Sequence, residues 1–134
     1  MDCIFCNIIK GDVPNYTVYE DENVLAFLDI HPTVEGHTVV IPKTHGATIL
    51  DFSEQVLGQL MKGAQIASER LNEILHPDGF SIGLNHGEAA KQGVSHLHVH
   101  IIPRYHGDGG GSMHSIVRQD GMRTVEDVSK LFHT

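Results

Sequence analysis

The stretch His96-Leu97-His98-Val99-His100-Ile101-Ile102 places a histidine at every second position, with aliphatic residues between and after them. In an extended strand successive side chains alternate faces, and residues two apart share a face about 6.5–7 Å from each other. The spacing therefore predicts the three imidazoles in one row, with Leu97, Val99 and Ile101 pointing the other way. A run this apolar, closed by Ile102-Pro103, reads as a central strand packed against a helix rather than an edge. A single strand histidine is ordinarily a hydrogen-bonded, half-buried residue without chemistry. Three on one face have no packing rationale, because imidazoles are costly to bury unless partnered. Two arrangements fit such a row: a metal site using alternate histidines, or a phosphoryl site using the central histidine with flanking helpers.

Working outward, the 134 residues suffice for one domain, 1–134, with a real hydrophobic core. Forty per cent hydrophobic content without a long apolar run excludes a membrane-spanning helix. The start, Met1-Asp2-Cys3-Ile4-Phe5-Cys6, lacks the basic and apolar regions of a signal peptide, so a cytoplasmic location is expected, with no membrane partner. A formal charge of −8 argues against nucleic acid as a partner, since that needs a basic face. Any phosphate must instead be met locally by imidazoles, backbone N–H groups and polar side chains.

Cys3 and Cys6 form a C-x-x-C and are the chain's two cysteines. In a reducing compartment the options are a redox pair, half of a zinc site, or two small buried hydrophobes. Ile4, Phe5, Ile8 and Ile9 fall at helical spacing, stopped by Lys10-Gly11 and Pro14. Residues 17–20 and 24–30 read as a hairpin, and His37–Pro42 as a third strand. Asp29, ending a largely apolar strand, is either a turn cap or a carboxylate able to accept from a pair of sugar hydroxyls. The main helix is predicted over 51–75, capped by Asp51 or Ser53. Its core stripe is Leu57, Leu60, Met61, Ala64, Ala67, Leu71 and Ile74. Strands follow near Phe80–Asn85 and Ser95–Ile102. Residues 106–134 form a C-terminal loop and tail, with a glycine-rich segment at 107–112 and a short capped helix within 124–132. The fold class is α+β: a five-stranded antiparallel sheet covered by one long helix and a short N-terminal helix.

The histidine row, together with Gly36-His37 opening a strand that ends Ile41-Pro42-Lys43-Thr44-His45, resembles the histidine triad (HIT) superfamily of nucleotide hydrolases and transferases, and within it the small bacterial proteins of the Hint-like branch. Asp29-Ile30, Asn85, Gly87-Glu88 and Ile102-Pro103-Arg104 also fall where similar sequences have them. The likeness spans residues 3 to about 105.

The resemblance implies that His98 is the nucleophile, attacking the α-phosphorus of a purine nucleoside 5′-monophosphate derivative to give a nucleotidyl-histidine that water cleaves. By the same likeness His37 hydrogen-bonds His98, and His100 contacts the phosphate and helps the leaving group depart. Asp29 binds the ribose, Asn85 and Gln92 bind phosphate oxygens, and Ile4, Phe5, Ile8, Phe27 and Ile30 wall the base. Relatives with this C-x-x-C imply a structural zinc on Cys3, Cys6, His45 and His96, with no catalytic metal, and a homodimer in which the sheets continue across the interface. One position departs from the pattern: Gly93 stands where many relatives have Ser or Thr, leaving protonation of the leaving group to His100 or Ser95. Phosphoramidate or acyl-adenylate cleavage and dinucleoside polyphosphate hydrolysis both stay open. So do a slow-turnover nucleotide-binding adaptor and a metalloenzyme using His96, His98 and His100 on one metal.

Overall fold

The computed structural model describes residues 2–133. Five strands, β1 (Thr17–Glu20), β2 (Val24–Leu28), β3 (Thr38–Pro42), β4 (Gly79–Gly83) and β5 (Val99–Arg104), form one antiparallel sheet in the order β1-β2-β3-β5-β4. The first three follow one another in sequence, β1 and β2 by a short turn and β2 and β3 by the loop 29–37. At the turn between β1 and β2 the Asp21 carboxylate accepts from the backbone N–H groups of Asn23 and Val24. The chain then crosses by the long helix α2 (Glu54–Leu75) to the far edge, lays down β4, and returns as β5 between β3 and β4.

The two sheet faces are covered differently. Val24, Ala26, Val40, Leu97, Val99 and Ile101 meet Leu60, Ala64, Ala67 and Leu71 of α2. The opposite face presents Leu25, Phe27, Val39 and Ile41 to Phe5, Ile8 and Ile9 of the short helix α1 (Ile4–Lys10). Seven residues are too few for an isolated helix in water. Packing and caps hold α1: Cys3 Sγ accepts from Cys6 N–H at its start, and Gly11, at φ 87°, ends it in the left-handed region.

Several expected boundaries move. α2 begins at Glu54 with Ser53 as its cap, while Asp51 closes a capping box with Thr48 on a preceding 3-10 turn. Met61 and Ile74, expected in the core stripe, are 56% and 73% exposed. The sheet meets only a narrow arc of the helix, filled by Leu60, Gly63, Ala64, Ala67 and Leu71. β2 stops at Leu28, before Asp29 and Ile30, and β4 stops at Gly83, so Asn85 lies in the following loop.

β5 starts at Val99, not Ser95, and runs through Pro103 to Arg104. β3 pairs β5 only from Thr38–Ile101 to Val40–Val99, so at Pro103 the ladder is made with β4 alone. A proline is tolerated where one neighbour is missing. Of the three row histidines, His100 alone lies in the sheet. His96 and His98 lie on the approach to it, where Leu97 N–H donates to Gly46 O at 2.7 Å. Among the described residues, no helix is long and apolar enough to cross a membrane.

A short helix α3 (Val125–Lys130), capped by Thr124, lies in the tail as expected. Residues 106–133 are exposed throughout.

Candidate functional site

His98, His100 and His37 share the sheet face that carries α1. His98 Nδ1 stands 2.7 Å from the His96 carbonyl oxygen. A carbonyl can only accept, so Nδ1 carries the ring proton and donates it, and the lone pair of the neutral ring is left on Nε2. The ring is gripped edge-on by Phe5 and His100, at centroid distances of 5.2 and 5.0 Å.

The neighbouring pair is ordered by a backbone donor. Thr33 N–H donates to His37 Nδ1 at 3.2 Å, which puts the His37 proton on Nε2. His37 Nε2 lies 2.9 Å from His100 Nδ1 and donates to it, so His100 carries its own proton on Nε2. Here the structure corrects the expectation that His37 bonds His98. Val39 is the strand partner of His100, and His37 is the next residue of that chain on the same face, which brings its ring to His100. The Asp29 carboxylate flanks the pair, with Oδ2 3.6 Å from His37 Nε2 and Oδ1 accepting from His31 N–H.

Burial, with the neighbouring His98 and His37 acting in the same direction and Asp29 pulling against them, pushes His100 down to about 4. Burial also lowers His37, partly offset by the Asp29 carboxylate. Near neutral pH both rings are therefore uncharged and act as directed hydrogen-bond partners rather than cations.

His96 faces elsewhere. Its Nε2 donates to Pro42 O at 2.9 Å, leaving the Nδ1 lone pair directed at Cys3 Sγ (3.4 Å), Cys6 Sγ (3.6 Å) and His45 Nδ1 (3.2 Å). Cys6 Sγ lies 3.3 Å from His45 Nδ1. A tetrahedron with the bond lengths of a Cys2His2 metal site has edges of about 3.3–3.8 Å, so these four residues fit a closed metal centre.

A second cluster, Asp29, His37 and His100, also brings three donor atoms close together. There the Thr33 N–H opposes metal binding, since coordination through His37 Nε2 would move the ring proton onto the nitrogen that Thr33 already occupies. Among the described residues His96, His98 and His100 do not form a common ligand set: His96 joins Cys3, Cys6 and His45, and His100 joins Asp29 and His37.

Of the expected base wall, Phe5 and Ile8 pack from α1 onto the sheet. Phe27 lies buried beneath, its ring edge-on to Phe5 at 5.5 Å, and Ile4 and Ile30 stand exposed at the rim. Asn85 stands beside His100 at a cavity of about 530 Å³. The Gln92 amide is already engaged: Oε1 accepts from Gly87 N–H, and Nε2 donates to Ala47 O and Val94 O, so it braces the loop carrying Asn85.

Sequence reasoning missed Thr33, whose contribution is a backbone N–H that leaves no residue-type signal. It also missed the Arg104–Asp108 clamp beside the cavity, which the i, i+4 spacing of opposite charges could have suggested.

Comparison with known proteins matches residues 10–107 to the HIT domain. A HIT-family protein of Bacillus subtilis has a crystal structure that superposes with a TM-score of 0.85 at 40% identity, covering 99% of this chain and 94% of that one. A zinc-bound histidine triad family protein from Mycobacterium smegmatis superposes with a TM-score of 0.78 at 40% identity, covering 98% and 90%. The adenosine 5′-monophosphoramidase HNT1 of Saccharomyces cerevisiae is 41% identical over 102 residues, 76% of this chain and 62% of its own length.

Proposed function

Because the chain belongs to the HIT family, we propose that it is a nucleotide hydrolase that cleaves the bond between the α-phosphorus of a purine nucleoside 5′-monophosphate and an amine or carboxylate leaving group, through a covalent intermediate on His98. The observation that carries this reading is the bond from His98 Nδ1 to the His96 carbonyl, which leaves Nε2 as a free, oriented nucleophile beside the His100 donor. The phosphoramidase activity named for the yeast relative supports the choice of a P–N bond.

In the first step the Nε2 lone pair bonds to phosphorus. The bond from phosphorus to the leaving nitrogen breaks, its electron pair goes to that nitrogen, and the nitrogen takes a proton from water. In the second step a water oxygen bonds to phosphorus and releases a proton to solvent, while the P–N bond to His98 breaks and its pair returns to Nε2. One water is consumed, yielding nucleoside monophosphate and free amine. Such transfers demand positioning and charge stabilisation more than a strong base. His100, held neutral, supplies an Nε2–H for a phosphate oxygen without giving up its proton, and Asn85 adds a second polar group. Asp29 serves the ribose hydroxyls, and Phe5, Ile8 and Phe27 with rim residues Ile4 and Ile30 hold the purine. Gln92, assigned to phosphate by resemblance, takes the supporting part its three bonds describe.

Cys3, Cys6, His45 and His96 would hold zinc, a reading supported by their geometry and by the zinc-bound relative. With all four positions taken by protein, such an ion supplies structure, tying the start of α1 to the loop before β5.

The test is intact-mass spectrometry of the protein and of His98→Ala after brief mixing with adenosine 5′-phosphoramidate, alongside AMP release. The expected result is a transient one-AMP adduct on the unmodified protein, with adduct and release both lost in the variant. Release that persists in His98→Ala would refute covalent catalysis at this residue.

A further inference from the structure

Cys3 and Cys6 carry the two thiols of the chain, and their place in the fold joins them to His98. Cys3 caps α1 and Cys6 lies in its first turn, with Cys6 N–H donating to Cys3 Sγ at 3.3 Å. Both thiols are free and half-buried, and their sulfurs lie within 4.8 Å of one another. A cavity of about 720 Å³ between α1 and the segment 93–95 opens on Cys3 and His45, so a small solute can reach the Cys3 sulfur.

Two links run from this pair to the catalytic row. Phe5 stands between the cysteines in sequence, and its ring meets His98 edge-on at 5.2 Å and His96 at 5.8 Å. His96 supplies the other link. Its ring nitrogen Nδ1 faces both sulfurs, while its carbonyl oxygen takes the Nδ1 proton of His98. No residue of α1 is fully buried, so the position of Phe5 depends on the anchored start of the helix as well as on its packing.

We propose that Cys3 and Cys6 form a redox switch: a hydroperoxide oxidises them to a disulfide, which dismantles the metal site and slows chemistry at His98. The effect on turnover rests on the hydrolase reading above, whereas the modification itself does not. With hydrogen peroxide, the Cys3 sulfur bonds to one peroxide oxygen, the O–O bond breaks with its pair on the other oxygen, and that oxygen leaves as water with the Cys3 thiol proton. The Cys6 sulfur then bonds to the Cys3 sulfur, the S–O bond breaks, and the departing hydroxide takes the Cys6 proton as a second water. The two thiols lose two electrons and the peroxide gains them. Sulfurs bonded at about 2 Å cannot occupy two corners of a tetrahedron with edges of about 3.3–3.8 Å, and a disulfide offers no thiolate to a metal. His45 and His96 then remain as half a ligand set, and both links to His98 slacken.

The experiment treats the zinc-loaded protein with hydrogen peroxide. A chromophoric chelator follows zinc, the tryptic peptide ending at Lys10 is weighed after thiol alkylation, and AMP release from adenosine 5′-phosphoramidate is assayed before and after. The expected result is release of one zinc per chain in step with a peptide two hydrogens lighter that refuses alkylation. With it kcat should fall about tenfold or more, as small displacements of a reacting group do, and return on adding dithiothreitol and zinc. Cys3→Asp keeps a capping and metal-binding side chain but removes the thiol that faces the cavity, and its kcat should be the same before and after peroxide. Zinc that is absent or retained, a peptide that gains oxygen without forming the disulfide, a kcat indifferent to the disulfide, or an equal loss in Cys3→Asp overturns the switch while the hydrolase reading stands. A reduced, zinc-loaded protein that releases no AMP overturns the hydrolase reading and the effect on turnover, while a disulfide formed with zinc release still supports the modification.

Discussion

Gly58 and Gly63 lie on the same helix, and replacing each by alanine should move stability in opposite directions. At Gly63 an added Cβ would stand 2.6 Å from Val24 Cγ2 and 3.3 Å from Val24 Cβ. Ordinary contact begins near 3.4 Å, so helix and sheet would have to part locally by most of an ångström. Val24 is fully buried and β-branched, which leaves its side chain little freedom to turn away. Overpacking of this kind costs about 1–3 kcal/mol, and a contact this short belongs in the upper half of that range. Replacing a mid-helix glycine recovers about 1 kcal/mol, so the net expectation for Gly63→Ala is a loss of about 1–2 kcal/mol. At Gly58 nothing lies within 4 Å of the added Cβ, and the same substitution should stabilise by up to about 1 kcal/mol. Urea denaturation, with unchanged slopes and shifted midpoints, measures both. In a Val24→Ala background the Gly63→Ala penalty should shrink, because the offending methyl groups are gone. A Gly63→Ala protein as stable as its parent, or a penalty indifferent to Val24→Ala, would refute the close approach of α2 to β2.

The His100 ring should titrate near 4 by NMR, against about 6.5 for an unburied imidazole. The sign for stability follows. Between those values the unfolded chain binds a proton that the folded ring refuses, so stability falls as pH drops from about 6.5 toward 4, and His37 acts in the same direction. A midpoint at or above 6.5 for His100 would contradict the burial argument. Stripping metal with a chelator should speed amide exchange across Ile4–Lys10 and weaken AMP binding, since α1 is too short to stand without its anchor. Protection that persists after metal content reaches zero would remove zinc from that role. β4 is an edge strand, and beside it Ile82 and Met61 expose apolar surface. This supports a homodimer joined along that edge, and sedimentation at micromolar concentration returning the monomer mass would refute it.

The amino-acid order by itself determined the α+β class, the hairpin of β1 and β2, the single long helix and the short N-terminal one. Each rests on a local signal: a short continuous apolar run over 24–28, a helical stripe through Leu60, Ala64, Ala67 and Leu71, and stops at Gly11 and His76-Pro77. The family was legible too, because its histidine spacing is contiguous in sequence. Tertiary structure alone decided the rest, since it depends on pairings between distant residues. Alternation correctly set Leu97, Val99 and Ile101 on the helix side, yet the ladder begins only at Val99, because before it the chain leaves β3 and Leu97 N–H donates to Gly46 O instead. The partner of His37 depends on register between β3 and β5, two segments about sixty residues apart, and that register chose His100 over His98. The tautomers of His37 and His100 follow from a Thr33 backbone N–H, a group every residue but proline carries and no sequence pattern marks. Met61 and Ile74 carry the same hydrophobic signal as Leu60 and Leu71, and only the width of the sheet beneath the helix separates core from surface.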